Sequence, residues 1–287
     1  MMNIPMLFPV FRFRKPTGPY NIGTLTYHFE DRSRIDIFQE DPRIHRSLMV
    51  QIWYPTLDAS ADRAPYLPDA AAVTKELARL YRLPGFMFCH IKHVRSNAIP
   101  SAAVAAQNRY PVLIFLEGLS GFRQMNTFQV EELVSNGYIV AAIDHPGAAA
   151  NVVFPDGRQI PGYPVKRMKE LLAPSLETVE HLPVLDGRTL DEGIVPYLAE
   201  DVRFVLDELA KLNQADPCGK LTGRMDLEHT GVFGISLGGI VAGEVCWQDA
   251  RFRHLNSKIF AKWKETLGSL EKATRKQDCQ GQSFEKA

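Results

Sequence analysis

The sequence of 287 residues contains no long hydrophobic run. No stretch approaches the ~20 consecutive apolar residues of a membrane-spanning helix. Net charge is missing too: 33 basic residues balance 33 acidic ones. That balance removes the electrostatic case for nucleic acid or an anionic membrane as the main partner. Cysteine is scarce and scattered, at Cys89, Cys218, Cys246 and Cys279, with no C-x-x-C pair. A zinc or disulfide framework is therefore excluded, and a reducing, cytoplasmic location is the expectation. The opening "MMNIPMLFPVFRFRK" has no basic segment before its short apolar stretch, and prolines interrupt it, so it does not read as a signal peptide. No G-x-G-x-x-G follows a strand, which argues against dinucleotide binding.

What is present is an alternation of strand and helix patterns. "PVLIFLE" (111–117), "YIVAAID" (138–144) and "TGVFGIS" (230–236) are short β-branched or aromatic runs, as in strands covered on both faces. Between the first two lies a helical stretch stopped by Asn136-Gly137, a left-handed C-terminal signal. Before the third, Leu198, Val202, Val205, Leu209 and Leu212 step by three and four, which makes one helical stripe over 198–213. Strand, helix, strand, helix, strand implies right-handed crossovers and a mostly parallel α/β sheet. "LMVQIWYP" (48–55) and "TLTYHF" (24–29) are expected to begin the same sheet as an antiparallel edge. Segment 148–196, with a helix expected at 165–173, is long enough to shape a pocket or lid.

The stretch "GVFGISLGG" (231–239) places Ser236 between Gly234 and Gly238. G-x-S-x-G carries chemistry when it turns a strand sharply into a helix and leaves the serine hydroxyl accessible. Acyl transfer also needs two N–H donors for the oxyanion. The residue after the serine is Leu237. The loop "EGLSGF" (117–122) would supply the second donor at Leu119, with Gly118 and Gly121 giving the backbone freedom to turn. A plain glycine turn with an incidental serine is the bland alternative, and the strand-to-helix context favours the catalytic one. In "CHIKH", Cys89, His90 and His93 lack further ligands, so no metal site is assigned there.

These segments resemble α/β-hydrolases of the platelet-activating-factor acetylhydrolase family, including its dienelactone-hydrolase-like bacterial members. The resemblance runs in order through "PTGPYNIGT", "LMVQIWYP", "RYPVLIFLEGLSGFR", "NGYIVAAIDHPG", "VVFPDGR", "DVRFVLDELAKLN" and "GVFGISLGG", and on to Arg253. It implies an α/β-hydrolase fold over 1–253, Ser236 as nucleophile, and the Leu119 and Leu237 amides as the oxyanion hole. It also implies hydrolysis of short acyl esters of phospholipid-like or small substrates, with no metal or other cofactor.

Three departures qualify it. Ile235 stands where the family has His before the serine. Glu117 stands before the oxyanion glycine, where a carboxylate opposes developing negative charge unless it points away or is protonated. Most importantly, the fold orders its triad as Ser, acid, His, yet the resemblance stops at Arg253. The only later histidine is His254, and Glu265, Glu271, Asp278 and Glu285 lie on or beyond a basic helical pattern (Ile259, Phe260, Trp263, Leu267, Leu270) that forms a tail over 254–287. The C-terminal strands are thus expected to be missing and replaced by a helical tail. The triad acid and histidine are unassigned. His145, after the central strand, is a weak surrogate base and is read as a loop histidine bonded to backbone; Asp249 is read as a surface residue. Two functions follow: a serine ester hydrolase, or an impaired remnant of one that binds a lipid or partner and turns esters over very slowly. An open sheet edge beside 230–236 would favour a homodimer.

Overall fold

The computed structural model describes residues 10–252, apart from 107, 108 and 186, and of His229 the backbone alone. The expected tail helix and its stripe lie outside the described residues. In chain order the elements are β1 (Asn21–Ile35), β2 (His45–Thr56), α1 (Ala70–Tyr81), β3 (Ile99–Pro100), β4 (Tyr110–Leu116), α2 (Thr127–Ser135), β5 (Ile139–Asp144), β6 (Asn151–Val153), β7 (Gln159–Pro161), α3 (Val165–Leu172), β8 (Val184–Leu185), β9 (Arg188–Thr189), α4 (Val195–Gln214), β10 (Met225–Gly234) and α5 (Leu237–Gln248).

Six strands form one sheet in the order β10-β4-β5-β2-β1-β3. β10, β4 and β5 run parallel, while β2 is antiparallel to both β5 and β1. The β1–β2 pair is therefore not the sheet edge expected from sequence: Ile99 and Pro100 add a short parallel strand outside β1. β1 is also much longer than "TLTYHF", because its outer face is polar and hides the alternation at either end.

The parallel strands are buried on both sides, and their residues alternate between two layers as strand geometry requires. Val112, Ile114, Leu116, Ile139, Ala141 and Ile143 pack with Leu198, Val202 and Val205 of α4 and Val241 and Val245 of α5. Leu113, Phe115, Val140 and Ala142 face the other way, onto Val130 and Val134 of α2. Gly137, at φ 93, ends the α2 turn as the Asn-Gly pair predicted. From β4 the chain crosses to β5 on one side, and it later returns through α4 to β10 on the other. The strand order thus reverses at the C-terminal ends of β4 and β10, the place in open α/β sheets where ligands bind.

One arginine is sealed inside this frame. Arg46 shares the inward face of β2 with Leu48, Val50, Ile52 and Tyr54, and its side chain is completely buried. Its guanidinium meets Asp201 Oδ2 of α4 at 2.6 Å and Asp36 Oδ2 at 3.3 Å, and it donates to the Pro146 carbonyl at 3.0 Å. The rings of Tyr197 and Phe38 cover its faces, with centroids 5.0 and 5.7 Å from Cζ. Removing one member of such a group leaves buried charge uncompensated. Arg46→Met should therefore cost about 3–5 kcal/mol in urea unfolding. Arg43→Ala, which breaks only the exposed pair with Asp41, should leave the transition where it was.

Candidate active site

Ser236 sits where β10 ends and α5 begins. Its backbone is held at φ 52, ψ −117, a region that costs a residue with a Cβ on the order of 1–3 kcal/mol and persists only when its surroundings enforce it. The surroundings are backbone. A Cβ at Gly234 would overlap the Gly238 peptide, and one at Gly238 would overlap the Leu116 and Glu117 carbonyls. These two glycines are therefore required for close approach, since neither has a positive φ. The result is a tight turn that leaves Ser236 exposed at the C-terminal end of β10, with its carbonyl accepting the first helical bonds from Gly239 (2.9 Å) and Ile240 (3.2 Å).

The 117–122 loop lies directly against this turn. A Cβ built on Gly118 would be 3.5 Å from the Ser236 Cβ and 3.2 Å from the Ile235 carbonyl oxygen. The positive φ in the loop falls on Ser120 (φ 60) and on neither glycine, so Gly118 and Gly121 also serve approach and not reversal. The loop is laced to the turn after β5: Ser120 N–H donates to Ala148 O at 2.7 Å and Ala150 N–H to Gly121 O at 2.8 Å. Among the described residues, neither the Leu119 nor the Leu237 N–H donates to another backbone carbonyl. The Leu237 amide additionally lies at the N-terminus of α5, the end that favours negative charge.

His145 is almost fully buried, and the expectation of a backbone-bonded loop histidine needs correction. Its ring is bonded not to backbone but to a carboxylate: Nδ1 is 2.9 Å from Asp201 Oδ2. Its backbone N–H donates to Glu117 Oε1 at 2.9 Å. The other ring nitrogen, Nε2, is buried and has no hydrogen-bond partner among the described residues, Ser236 included. Asp249 also departs from expectation. Its side chain is only 10% exposed and pairs with Arg251 at 2.6 Å and Arg203 at 3.7 Å. His254 and the later acids fall outside the described residues. Cys89, His90 and His93 lie in and between two short 3-10 turns at 85–88 and 91–93.

Asp201 is the functional candidate that no sequence motif marked. It accepts from Arg46, from Arg34 Nη2 at 2.8 Å and from His145. Burial alone would raise its pKa, but the two arginines and the histidine hold it far below the usual carboxylate range. For His145 burial pulls downward, and Glu117 and Asp201 outweigh it and leave the imidazole raised. Glu117 makes no ion pair, and burial pushes it up to about 7, with His145 opposing the rise and Asp144 adding to it. Glu131 of α2, buried against the 97–98 backbone, is also raised to about 7 by burial.

The family model for platelet-activating factor acetylhydrolase, isoform II, matches residues 7–159. The chain belongs to that family. A platelet-activating factor acetylhydrolase of Cavia porcellus is 27% identical over 257 residues, covering 83% of this chain and 53% of the relative. One of Gallus gallus is 28% identical over 102 residues, or 34% of this chain and 24% of the relative. The chain thus spans about half the length of the Cavia porcellus protein. Among solved structures, a ferulic acid esterase from Streptomyces cinnamoneus superimposes with a TM-score of 0.62 at 31% identity, covering 85% of this chain and 60% of that one. The fold is that of an α/β-hydrolase. The family match ends before Ser236, so the case for the serine rests on geometry. No helix among the described residues is long and apolar enough to cross a membrane.

Two outcomes follow from this site. Ser236→Gly should raise the melting temperature relative to Ser236→Ala, because glycine removes the cost of the positive φ at 236. Glu117 and Glu131 have folded pKa values near 7 against 4.5 unperturbed. Their contribution is complete below 4.5 and is lost as pH rises through about 7, so unfolding free energy should fall across that window by about 1.4 kcal/mol per pH unit for each group. The raised His145 acts in the same direction at the upper end, and Asp201, being lowered, does not titrate there. Urea titrations at several pH values check this; Glu117→Gln should flatten the slope.

Proposed function

We propose that this chain is a serine-dependent carboxylic ester hydrolase acting on short acyl esters of small or phospholipid-like substrates. Ser236 would attack the ester carbonyl, and the Leu119 and Leu237 amides would hold the oxyanion. The observation that carries this reading is the conformation of Ser236 itself. A polar residue is held at φ 52 on an exposed strand-to-helix turn, pressed against a glycine loop at the strand ends where the sheet order reverses. Strain of this kind is maintained where a reacting group must be presented. Family membership and the likeness to a ferulic acid esterase both support ester chemistry.

A second reading rests on a separate observation. An acyl-transfer serine needs a base within about 2.6–3.2 Å, and no described histidine hydrogen-bonds Ser236. In that reading the site binds esters but turns them over slowly, retaining on the order of 10³–10⁴ over water from the oxyanion hole and binding.

Hydrolysis of p-nitrophenyl acetate and methyl ferulate by the wild-type chain, Ser236→Ala, His145→Ala and His254→Ala separates the two. The proposal expects a wild-type rate that Ser236→Ala lowers by at least about 10³. Loss in His254→Ala would assign the base to that residue, and loss in His145→Ala would require the buried ring to turn toward Ser236. A slow rate that Ser236→Ala leaves unchanged would discard the enzyme reading in favour of the impaired one.

A further inference from the structure

Glu117 is the last residue before the glycine loop that faces Ser236, and the group facing it that can carry positive charge, the His145 ring, is hydrogen-bonded to Asp201 instead. Its side chain is almost wholly buried. Oε1 accepts one hydrogen bond, from the His145 backbone, and Oε2 is buried with no partner among the described residues. The nearby charges are committed elsewhere. Arg123 pairs with Asp144 and with Asp69, while Arg46 and Arg34 pair with Asp201. The His145 ring turns its Nδ1 to Asp201, and Asp144 contributes a further negative group. The first turn of α5, which packs on the Glu117 carbonyl, carries no acid and no compensating base. A carboxylate so placed would have to bear its desolvation with a buried oxygen unpaired and no direct ion pair, the His145 ring offsetting only part of it, whereas the carboxylic acid is a neutral dipole.

We propose that Glu117 is a positioning residue of this site: as a neutral carboxylic acid it pins the 117–121 loop to the turn after β5, and its ionisation disables the oxyanion hole. The bond from His145 N–H to Glu117 joins the Ser120–Ala148 and Ala150–Gly121 bonds, so one side chain and two backbone contacts together fix where the Leu119 amide lies. Ionisation acts on this arrangement in two ways. It puts unpaired charge in the buried layer, which loosens the lacing, and it sets a negative charge beside the atom where negative charge must develop. The burial-driven rise of Glu117 to about 7 places this change in the neutral range. The oxyanion function of the loop rests on the proposed ester hydrolysis; the neutral state and the loop anchoring do not.

The test has an arm for each part, all on the full chain. Infrared difference spectra between pH 6 and pH 9 should show a protonated-carboxyl stretch that disappears on raising the pH and is absent in Glu117→Gln, with Glu131→Gln identifying the band of the other buried glutamate. Amide exchange at Ser120, with the intrinsic pH dependence divided out, should speed up through the same range in the wild type and stay constant in Glu117→Gln. kcat/KM for p-nitrophenyl acetate should fall about tenfold per pH unit above neutrality in the wild type, and that limb should vanish in Glu117→Gln. Absence of the Glu117 band at pH 6 would show a carboxylate and overturn the proposal. A band accompanied by unchanged Ser120 protection would overturn the anchoring. If Ser236→Ala hydrolyses the ester as fast as the wild type, the ester-hydrolase reading fails, and the exchange arm alone decides whether Glu117 anchors the loop. If Glu117→Gln does not fold, the wild type with 13C-carboxyl glutamate, titrated beside Glu131→Gln, decides whether Glu117 is protonated at pH 6.

Discussion

The structure depends on one carboxylate with no access to water. Asp201 enters the core on a helix otherwise chosen for its apolar stripe, and it is tolerable there because two guanidiniums and an imidazole meet it. Each partner comes from a different place: Arg34 from the end of β1, Arg46 from β2, and His145 from the turn after β5. A hydrophobic layer would pack these elements within a range of sliding positions; directional bonds to a single pair of oxygens allow one. Such a network need not add stability over an apolar core of equal volume. What it supplies in this fold is register, because any shift of α4 along the sheet strands at least one buried charge.

That register reaches Ser236 through His145. The imidazole is fixed on Asp201, its peptide N–H holds Glu117, and Glu117 begins the loop that lies against Ser236. Positioning at the serine is therefore set on two sides. From β10 it comes from glycines that let backbone meet backbone, and from β4 and β5 it comes from a chain of polar groups ending in the core. The strained backbone at Ser236 is sustained because neither side can relax without the other.

How much of this was legible in the sequence varied with the physics. The parallel strands β4, β5 and β10 were visible because burial on both faces demands unbroken apolar runs, α2 because Asn136-Gly137 marks its end, and α4 because its stripe repeats at helical spacing. The elbow at Ser236 was visible because close backbone approach leaves glycine as the permitted residue. The charged network was missed, although signals for it were present. Arg46 stands in phase with Leu48, Val50, Ile52 and Tyr54, and Asp201 lies three residues after Leu198 and four before Val205, on the apolar stripe. A charged residue in phase with a buried face marks an interior ion pair, but its partner cannot be named until the topology brings distant segments together. β3 and the length of β1 were missed for another reason: two-residue strands and polar outer faces leave no period to read. The positive φ at Ser120 had no signal, since serine gives none of the warning that glycine does.

The distance along the chain between Arg46 and Asp201 also bears on how the protein is made. The two residues are 155 positions apart, so β1, β2, β4 and β5 have all left the ribosome while Arg46 has Asp36 as a partner and Asp201, which it meets more closely, has yet to be made. Loop closure over such a span is costly and slow compared with the β4–α2–β5 crossover. Until α4 arrives, β2 can join its neighbours only with an arginine half-matched by Asp36 in an unfinished interior, and a half-built sheet exposes apolar surface to other chains. The ion network that fixes the finished structure thus makes the order of synthesis a hazard, and α4 is the segment whose emergence from the ribosome ends it.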